Sequence, residues 1–244
     1  MNGKRHVILL AVLAVALLIL PATMQAGTNL GLQLVSNPDT ATICDNNINF
    51  PGCTGNASDI NPALGQITFM GPVGGWTTNV TSGFGPPYLI FAPFLDISTF
   101  NATSTAGAGP MTILLSVVGL TSPSFAEAFN MIGGTSSYAG AVVTSQIWYS
   151  ASNAAFCAST ACGTAISSLL TVSGAAFSGH VDIAAPLGSG PFSLTMAVTI
   201  NADGQVDTTS FDDEFSLPEP ATLSVLGSGL LGFGMAFRKM LLRA

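Results

Sequence analysis

Between His6 and Phe237 this chain has neither lysine nor arginine. All five basic residues sit at the ends: Lys4 and Arg5 at the start, then Arg238, Lys239 and Arg243 at the finish. The 12 Asp and Glu residues, by contrast, recur along the chain, so the body is acidic and has no side-chain cation except His180. A surface of that kind cannot neutralise phosphates, which excludes nucleic acid as a direct partner. Anionic lipid surfaces are disfavoured for the same reason. Lys or Arg salt bridges inside the body are also excluded, so stability must come from burial, backbone pairing and disulfides. Charged residues make up only 7% of the chain, against about 25% in ordinary globular proteins.

Catalytic signatures are scarce too. Ser178, His180 and Asp182 lie on one short segment, and a single strand cannot bring three such groups into a hydrogen-bonded relay. No G-x-S-x-G elbow, phosphate loop, dinucleotide fingerprint or haem motif occurs. Asp96, Glu127 and Asp182 are isolated carboxylates that sequence alone does not place across one cleft. The expectation is a protein without cofactor and without a catalytic site.

What the chain does have is two informative ends. Residues 1–26 have the grammar of a signal peptide: Lys4 and Arg5, an unbroken apolar run from Val7 to Leu20, then Pro21 and a small residue, Ala26, for cleavage. At the other end, residues 217–244 begin with Leu217-Pro218-Glu219-Pro220. An apolar stretch from Ala221 to Phe237 follows, and the basic stop Arg238, Lys239 and Arg243 closes the chain. The two prolines keep Pro218-Glu219-Pro220 extended, and the apolar stretch is just long enough to span a bilayer. Basic residues at both extremes place everything between them outside the cytoplasm.

This tail resembles the PEP-CTERM sorting domain over about the last tenth of the chain. The resemblance implies that signal peptidase handles one end and an exosortase-like enzyme the other, recognising Pro218, Glu219 and Pro220. It implies an anchored precursor held by a transient C-terminal helix, then a cell-surface or extracellular product in a Gram-negative-type bacterium that makes exopolysaccharide. The segments Gly65-Gln-Ile-Thr-Phe69, Gly75-Trp76 and Asn79-Val-Thr-Ser-Gly83 are similar to an ectodomain pattern of the same family, which brings no activity with it.

Residues 27–216 show no sustained helical period. Short runs rich in Val, Ile, Thr and Phe alternate with Gly, Pro, Asn and Ser clusters. Nine or ten strands are expected, including Trp76–Thr81, Met111–Leu120, Ala165–Val172, Phe192–Ile200 and Gln205–Phe211, with room for a helical patch over Pro123–Met131. Asp203-Gly204 predicts a hairpin between the last two strands. The fold class is therefore all-β, an antiparallel β-sandwich or jelly-roll-like ectodomain with Trp76, Phe94 and Phe192 in its core, flanked by the signal-peptide helix and the C-terminal transmembrane helix.

Four cysteines fall in two local pairs, Cys44 with Cys53 and Cys157 with Cys162, and an exported chain favours disulfides over a thiolate zinc site. Asp203 and Asp207 suggest a weak calcium loop, with Asp212, Asp213 and Glu214 as further oxygens in a looser surface site; the alternative is a hairpin turn and a solvated acidic stalk. However, the EF-hand register fails, with Thr199 and Ser210 where Asp and Glu belong. Trp76, Trp148 and Tyr149 are candidate glycan platforms. The leading functional expectation is a non-enzymatic matrix protein associated with exopolysaccharide or biofilm. A carbohydrate-binding sandwich is the alternative, and a secreted hydrolase of unrecognised type comes third.

Overall fold

Alternation of apolar and polar positions produces the first strand: Leu30, Leu32 and Leu34 are all fully buried, as a period of two requires of one strand face. The same logic repeats along the chain. A computed structural model describes residues 29–46, 50–51, 58–85, 95–121, 128–183 and 190–216. Among them are 13 strands: β1 (Asn29–Ser36), β2 (Asp39–Cys44), β3 (Gln66–Val73), β4 (Trp76–Phe84), β5 (Leu95–Ser104), β6 (Met111–Thr121), β7 (Ala128–Ser136), β8 (Val142–Ser150), β9 (Thr164–Ala165), β10 (Leu170–Ser173), β11 (Ala176–Ile183), β12 (Pro191–Asn201) and β13 (Thr208–Ser216). The signal peptide, the Pro218-Glu219-Pro220 motif, the basic stop at Arg238, Lys239 and Arg243, both flanking helices, Phe94 and Cys53 lie outside the described residues.

The strands form two antiparallel sheets. Sheet A has the order β10-β8-β12-β6-β1-β2, with β9 also paired to β8, and sheet B has the order β11-β7-β13-β5-β4-β3. The chain builds β3, β4 and β5 as a meander in sheet B. From β6 onward it passes repeatedly between sheets, which is why neighbours in space are distant in sequence. Gly74, at φ 56°, makes the two-residue β3–β4 turn, and a side chain there would meet Ser36 O at 2.6 Å. Apolar residues of both inner faces interlock, among them Ile113, Leu115 and Val117 from β6 and Leu95, Ile97 and Phe100 from β5. Phe100 stacks on Phe211 with ring centroids 4.8 Å apart. The all-β sandwich is thus as expected.

Several local expectations are corrected. Asp203 and Gly204 do have the left-handed φ values of a tight turn, 51° and 70°. Yet β12 and β13 belong to different sheets, so the turn carries the chain across the sandwich instead of closing a hairpin. The expected strand Gln205–Phe211 is displaced to Thr208–Ser216. Phe211-Asp-Asp-Glu-Phe215 is therefore a central strand of sheet B and not a stalk, because Phe211 and Phe215 fill the core. The described part of the possible helix, from Ala128, is strand β7. Ala165–Val172 breaks into β9 and β10, separated by Ser167, whose Oγ accepts from Ile147 N at 2.9 Å. Strand β2 had no clear alternation and was not foreseen.

Polar residues between the two sheets hydrogen-bond to one another. Asp213 is fully buried on the inner face of β13, where Ser145 Oγ of the opposite sheet donates to its Oδ2 at 2.6 Å. With the Asn130 amide turned to donate to Asp213 Oδ1 and to Glu214 O, each at 3.2 Å, its oxygen accepts from Ser145 Oγ at 2.7 Å. A protonated Asp213 closes this ring, because its own O–H then donates to Ser145. Burial pushes the Asp213 pKa well above the usual carboxylate range, and the charges of Asp96, Asp212 and Glu214 raise it further, against the smaller lowering from Ser145.

Candidate functional site

Strand alternation sends Asp213 inward and its neighbours Asp212 and Glu214 outward. On the outer face of sheet B, Gly133 lies between Ser178 of β11 and Asp212 of β13. One row away Thr135 lies beside Ser210, and one row the other way Met131 lies beside Glu214, which in turn faces Asp96 of β5. Beyond Asp212 the register of β5 slips: Phe211 faces Phe100 and Asp213 faces Ile97, so Ser98 and Thr99 share one position. This bulge turns two hydroxyl residues toward Asp212.

The result is a shallow trough of about 320 Å3 with Gly133 and Gly134 in its floor, walled by Ser98, Thr99, Thr135, Ser210 and Asp212. The two glycines are there for different reasons. A Cβ on Gly134 would come within 2.3 Å of Ser210 O and 2.7 Å of Phe177 and Phe211 side-chain atoms, so tight packing demands glycine. A Cβ on Gly133 would meet only Phe177 O, at 3.9 Å. Its φ is unexceptional, and among the described residues nothing else lies above it. Glycine inside a strand costs about 0.5–1 kcal/mol relative to alanine. Where packing does not require it, a strand glycine marks the close approach of something else.

The electrostatics at one end of the trough are unusual. Half-buried Asp96 is raised to about 7, first by desolvation and then by the charges of Asp212 and Glu214. Burial raises Asp212 as well, with Glu214 adding to it. With no Lys or Arg in the body, these carboxylates repel one another without compensation. The face can donate hydrogen bonds through hydroxyls, accept them through carboxylates, and attract positive charge. It is an open sheet surface that does not enclose a reacting group from water. A larger hollow of about 590 Å3 lies beside the edge strands β2 and β3, lined by Asp39, Phe69, Met70 and Pro72, and among its described lining residues only Asp39 is ionisable.

The residues singled out from sequence do not assemble into a site. Trp76 is 1% exposed and its Nε1 donates to Gly109 O at 2.8 Å, which corrects its candidacy as a glycan platform: it is a core residue. Trp148 and Tyr149 are both half-buried but, as consecutive strand residues, point to opposite faces. Tyr149 packs on Phe192 with centroids 5.3 Å apart, while Trp148 faces outward between Thr195 and Ala165. They share no platform. His180 is exposed on edge strand β11 and pairs with Met131, away from any nucleophile relay.

Asp207 is corrected as a calcium ligand in physical terms. Its Oδ1 accepts from Ser136 Oγ at 2.8 Å, Ser137 Oγ at 3.0 Å and Tyr138 N at 2.9 Å, and its Oδ2 from Thr209 Oγ1. Burial alone would raise its pKa, but these donors outweigh it and the net shift is downward. The carboxylate clips the β7–β8 connection to the start of β13, and both of its oxygens are already taken up by donors of the fold. Asp203 stands exposed in its turn, with its own N–H donating to Asn201 Oδ1 at 2.9 Å. Asp213 faces the core, so Asp212, Asp213 and Glu214 cannot converge.

Both cysteine expectations concern the outer face of sheet A. Cys157 and Cys162 form a disulfide with Cα atoms 5.7 Å apart, and Cys44 is also disulfide-bonded. The Cys157–Cys162 loop folds back over sheet A: Ser193 Oγ donates to Ala154 O at 2.5 Å, and Phe156 N donates to Ser116 Oγ at 3.1 Å. Phe156 meets Phe50 at 5.2 Å above Gly31, where a Cβ would lie 2.5 Å from the Phe50 ring. Small residues there make room for a strap that closes one end of this face.

No family model matches the chain, and no curated protein does. Among solved structures it is similar to a family 61 carbohydrate-binding module in complex with β-1,4-galactotriose, at 11% identity over 49% of this chain and 70% of that one, TM-score 0.30. It is also similar to a carbohydrate-binding module of the β-sandwich superfamily, at 15% identity over 80% and 75%, TM-score 0.31. The K1 cleaved adhesin domain of Lys-gingipain from Porphyromonas gingivalis W83 matches at 12% identity over 63% and 90%, TM-score 0.30. Likeness at this level conveys no ligand.

Proposed function

We propose that the chain is an exported, non-enzymatic β-sandwich that binds an extracellular polysaccharide in the trough of sheet B. The observation that carries this reading is Gly133, whose open outer side leaves bare backbone between Asp212 and the hydroxyls of Thr135 and Ser210. A sugar ring seated there reaches hydroxyl and carboxylate partners without displacing a side chain. The acidic surroundings select a neutral or amino-bearing glycan over a uronic or sulfated one, since each added anion would meet Asp96, Asp212 and Glu214 without a counter-charge.

Gly133→Phe tests the site. Its ring would project into the trough, and an aromatic residue suits a strand position. In affinity electrophoresis with galactan, xylan, chitosan and alginate, the wild-type chain is retarded by a neutral or amino glycan and not by alginate, and Gly133→Phe weakens that retardation at least about tenfold, or roughly 1.4 kcal/mol. Unchanged binding by a folded Gly133→Phe protein would refute the site. Release of new reducing ends from the polysaccharide would replace binding by hydrolysis, with Asp96 the residue to test first.

The route to that location is proposed from the tail: sorting by an exosortase-like enzyme at Pro218, Glu219 and Pro220. In support, β13 ends at Ser216, so a cut near Pro220 would leave every described strand in the product. Intact mass of the protein from its host, with and without that enzyme, decides. A mature mass still including Arg243 would rule out tail removal.

A further inference from the structure

Two carboxylates at the margin of the sandwich are held in a way that neither the polysaccharide reading nor the fold explains. Asp45 follows β2 and is 1% exposed. Its Oδ2 accepts from Gly65 N at 2.6 Å, while its Oδ1 is buried with no hydrogen-bond partner among the described residues. Asp59 precedes β3; its Oδ1 accepts from Asn61 N at 2.8 Å and Thr68 N at 2.9 Å, and its Oδ2 is likewise buried without a partner among the described residues. Each carboxylate is anchored by one oxygen and has the other left over.

The two belong to one small frame. Asn46 Nδ2 donates to Asn61 O at 2.9 Å, Asn61 Nδ2 donates to Gln66 Oε1 at 2.9 Å, and Gly65, which anchors Asp45, precedes Gln66. The Asp59 charge acts on Asp45, adding to the burial that raises its pKa against the opposing bonds from Gly65 and Asn46. Burial raises Asp59 as well, against the bonds from Thr68 and Asn61. No Lys or Arg exists between His6 and Phe237 to neutralise either group, and His180 is on β11, at the opposite edge of sheet B from β3.

A buried carboxylate facing the charge of a half-buried one has two ways out. Protonation removes the charge, but the new O–H still lacks an acceptor, so a desolvated polar group remains. A hard divalent cation instead neutralises the charge and supplies a partner for a leftover carboxylate oxygen. We propose that Asp45 and Asp59 bind a calcium ion through Asp45 Oδ1 and Asp59 Oδ2, with water and backbone carbonyls completing the shell. Calcium takes six to eight oxygen ligands in flexible geometry, and extracellular modules bind it with Kd of about 10^-4 to 10^-3 M. The site braces the stretch between β2 and β3, where the chain passes from sheet A to sheet B. It is independent of the trough.

The test compares thermal unfolding of the purified full-length chain in EDTA and in about 10 mM CaCl2, with calcium bound measured by equilibrium dialysis. Wild type is expected to bind one calcium and to gain roughly 5–10 °C in Tm. Asp45→Asn and Asp59→Asn lose both effects, while Asp203→Asn keeps both. In EDTA, Asp45→Asn is expected to unfold no earlier than wild type, because the amide oxygen still accepts from Gly65 N and the uncompensated charge is gone. That signature separates a lost ligand from a damaged fold. Absence of bound calcium in the wild type would overturn the proposal, as would a calcium-dependent Tm gain that survives in both variants.

Discussion

Asparagine in place of Asp96 is expected to change how the fold responds to pH. In the native state this carboxyl holds its proton up to about pH 7, because burial desolvates it and Asp212 and Glu214 add negative charge beside it. In the unfolded chain it releases the proton near 3.8. Between those values the native state carries a proton that the unfolded state has lost, so raising the pH favours unfolding. Stability from this group is fully present below 3.8 and is lost as pH rises through 7. The unscreened ceiling is about 4 kcal/mol, from 1.36 kcal/mol per pKa unit. Asp96 is only half-buried, so solvent screening brings that to about 2 kcal/mol. For a domain of this size that corresponds to roughly 4–8 °C in Tm. Asp213, fully buried and also raised, acts in the same direction. Calorimetric Tm values in EDTA are therefore expected to fall between pH 4.5 and pH 8 for wild type. The fall is smaller for Asp96→Asn and smallest for the Asp96→Asn, Asp213→Asn double variant, whose amides preserve shape and cannot ionise. A wild-type Tm that rises across this window, or an Asp96→Asn protein with the full wild-type fall, would refute the electrostatic account of sheet B.

Asp207 has the opposite sign. Its lowered pKa means that its contribution is present above 3.8 and lost as pH falls below it, so stability is expected to peak in mildly acidic solution. Asp207→Ala leaves Ser137, Thr209 and the Tyr138 N–H without their carboxylate acceptor and Ser136 with only Tyr138 O, a loss of about 3–5 kcal/mol by urea unfolding. Trp76→Ala is expected to cost about 3–5 kcal/mol, as for large core truncations, whereas half-buried, outward-facing Trp148→Ala costs about 1 kcal/mol or less; equal losses would contradict their placement on inner and outer faces. Replacing Cys157 and Cys162 together by serine removes a short cross-link worth about 2 kcal/mol, and denaturant midpoints with and without reductant on wild type provide the matching control.

Much of the fold was legible because strand signals are local. The Leu30, Leu32 and Leu34 alternation needs no distant partner to be read, and neither does the Met111–Leu120 run that became β6. The Cys157–Cys162 pair was readable from spacing. The errors share one origin. Asp203-Gly204 has the local conformation of a hairpin turn, yet no local feature says whether the next strand stays in the same sheet. Asp212-Asp213-Glu214 looked like a solvated run, since three acids in a row carry no apolar alternation of their own; Phe211 and Phe215 on either side were the available clue. The Gly133-Gly134 pair was not singled out from sequence, because its two members differ only in what packs above them.

By itself, then, the sequence determined an acidic β-protein without internal ion pairs, a locally cross-linked loop, and end segments that resemble export and sorting signals. These follow from composition and from a side-chain period of two, both properties of short stretches. Tertiary structure alone decided which sheet each strand joined, and with it which side of every strand met solvent. That choice buried Trp76 and Asp213, exposed Asp212 beside Gly133, raised Asp96, and held Asp45 and Asp59 on one frame. The reason is physical: a residue's neighbours across a sandwich are set by closure of the whole core, and desolvation and charge repulsion act through those neighbours and not along the chain.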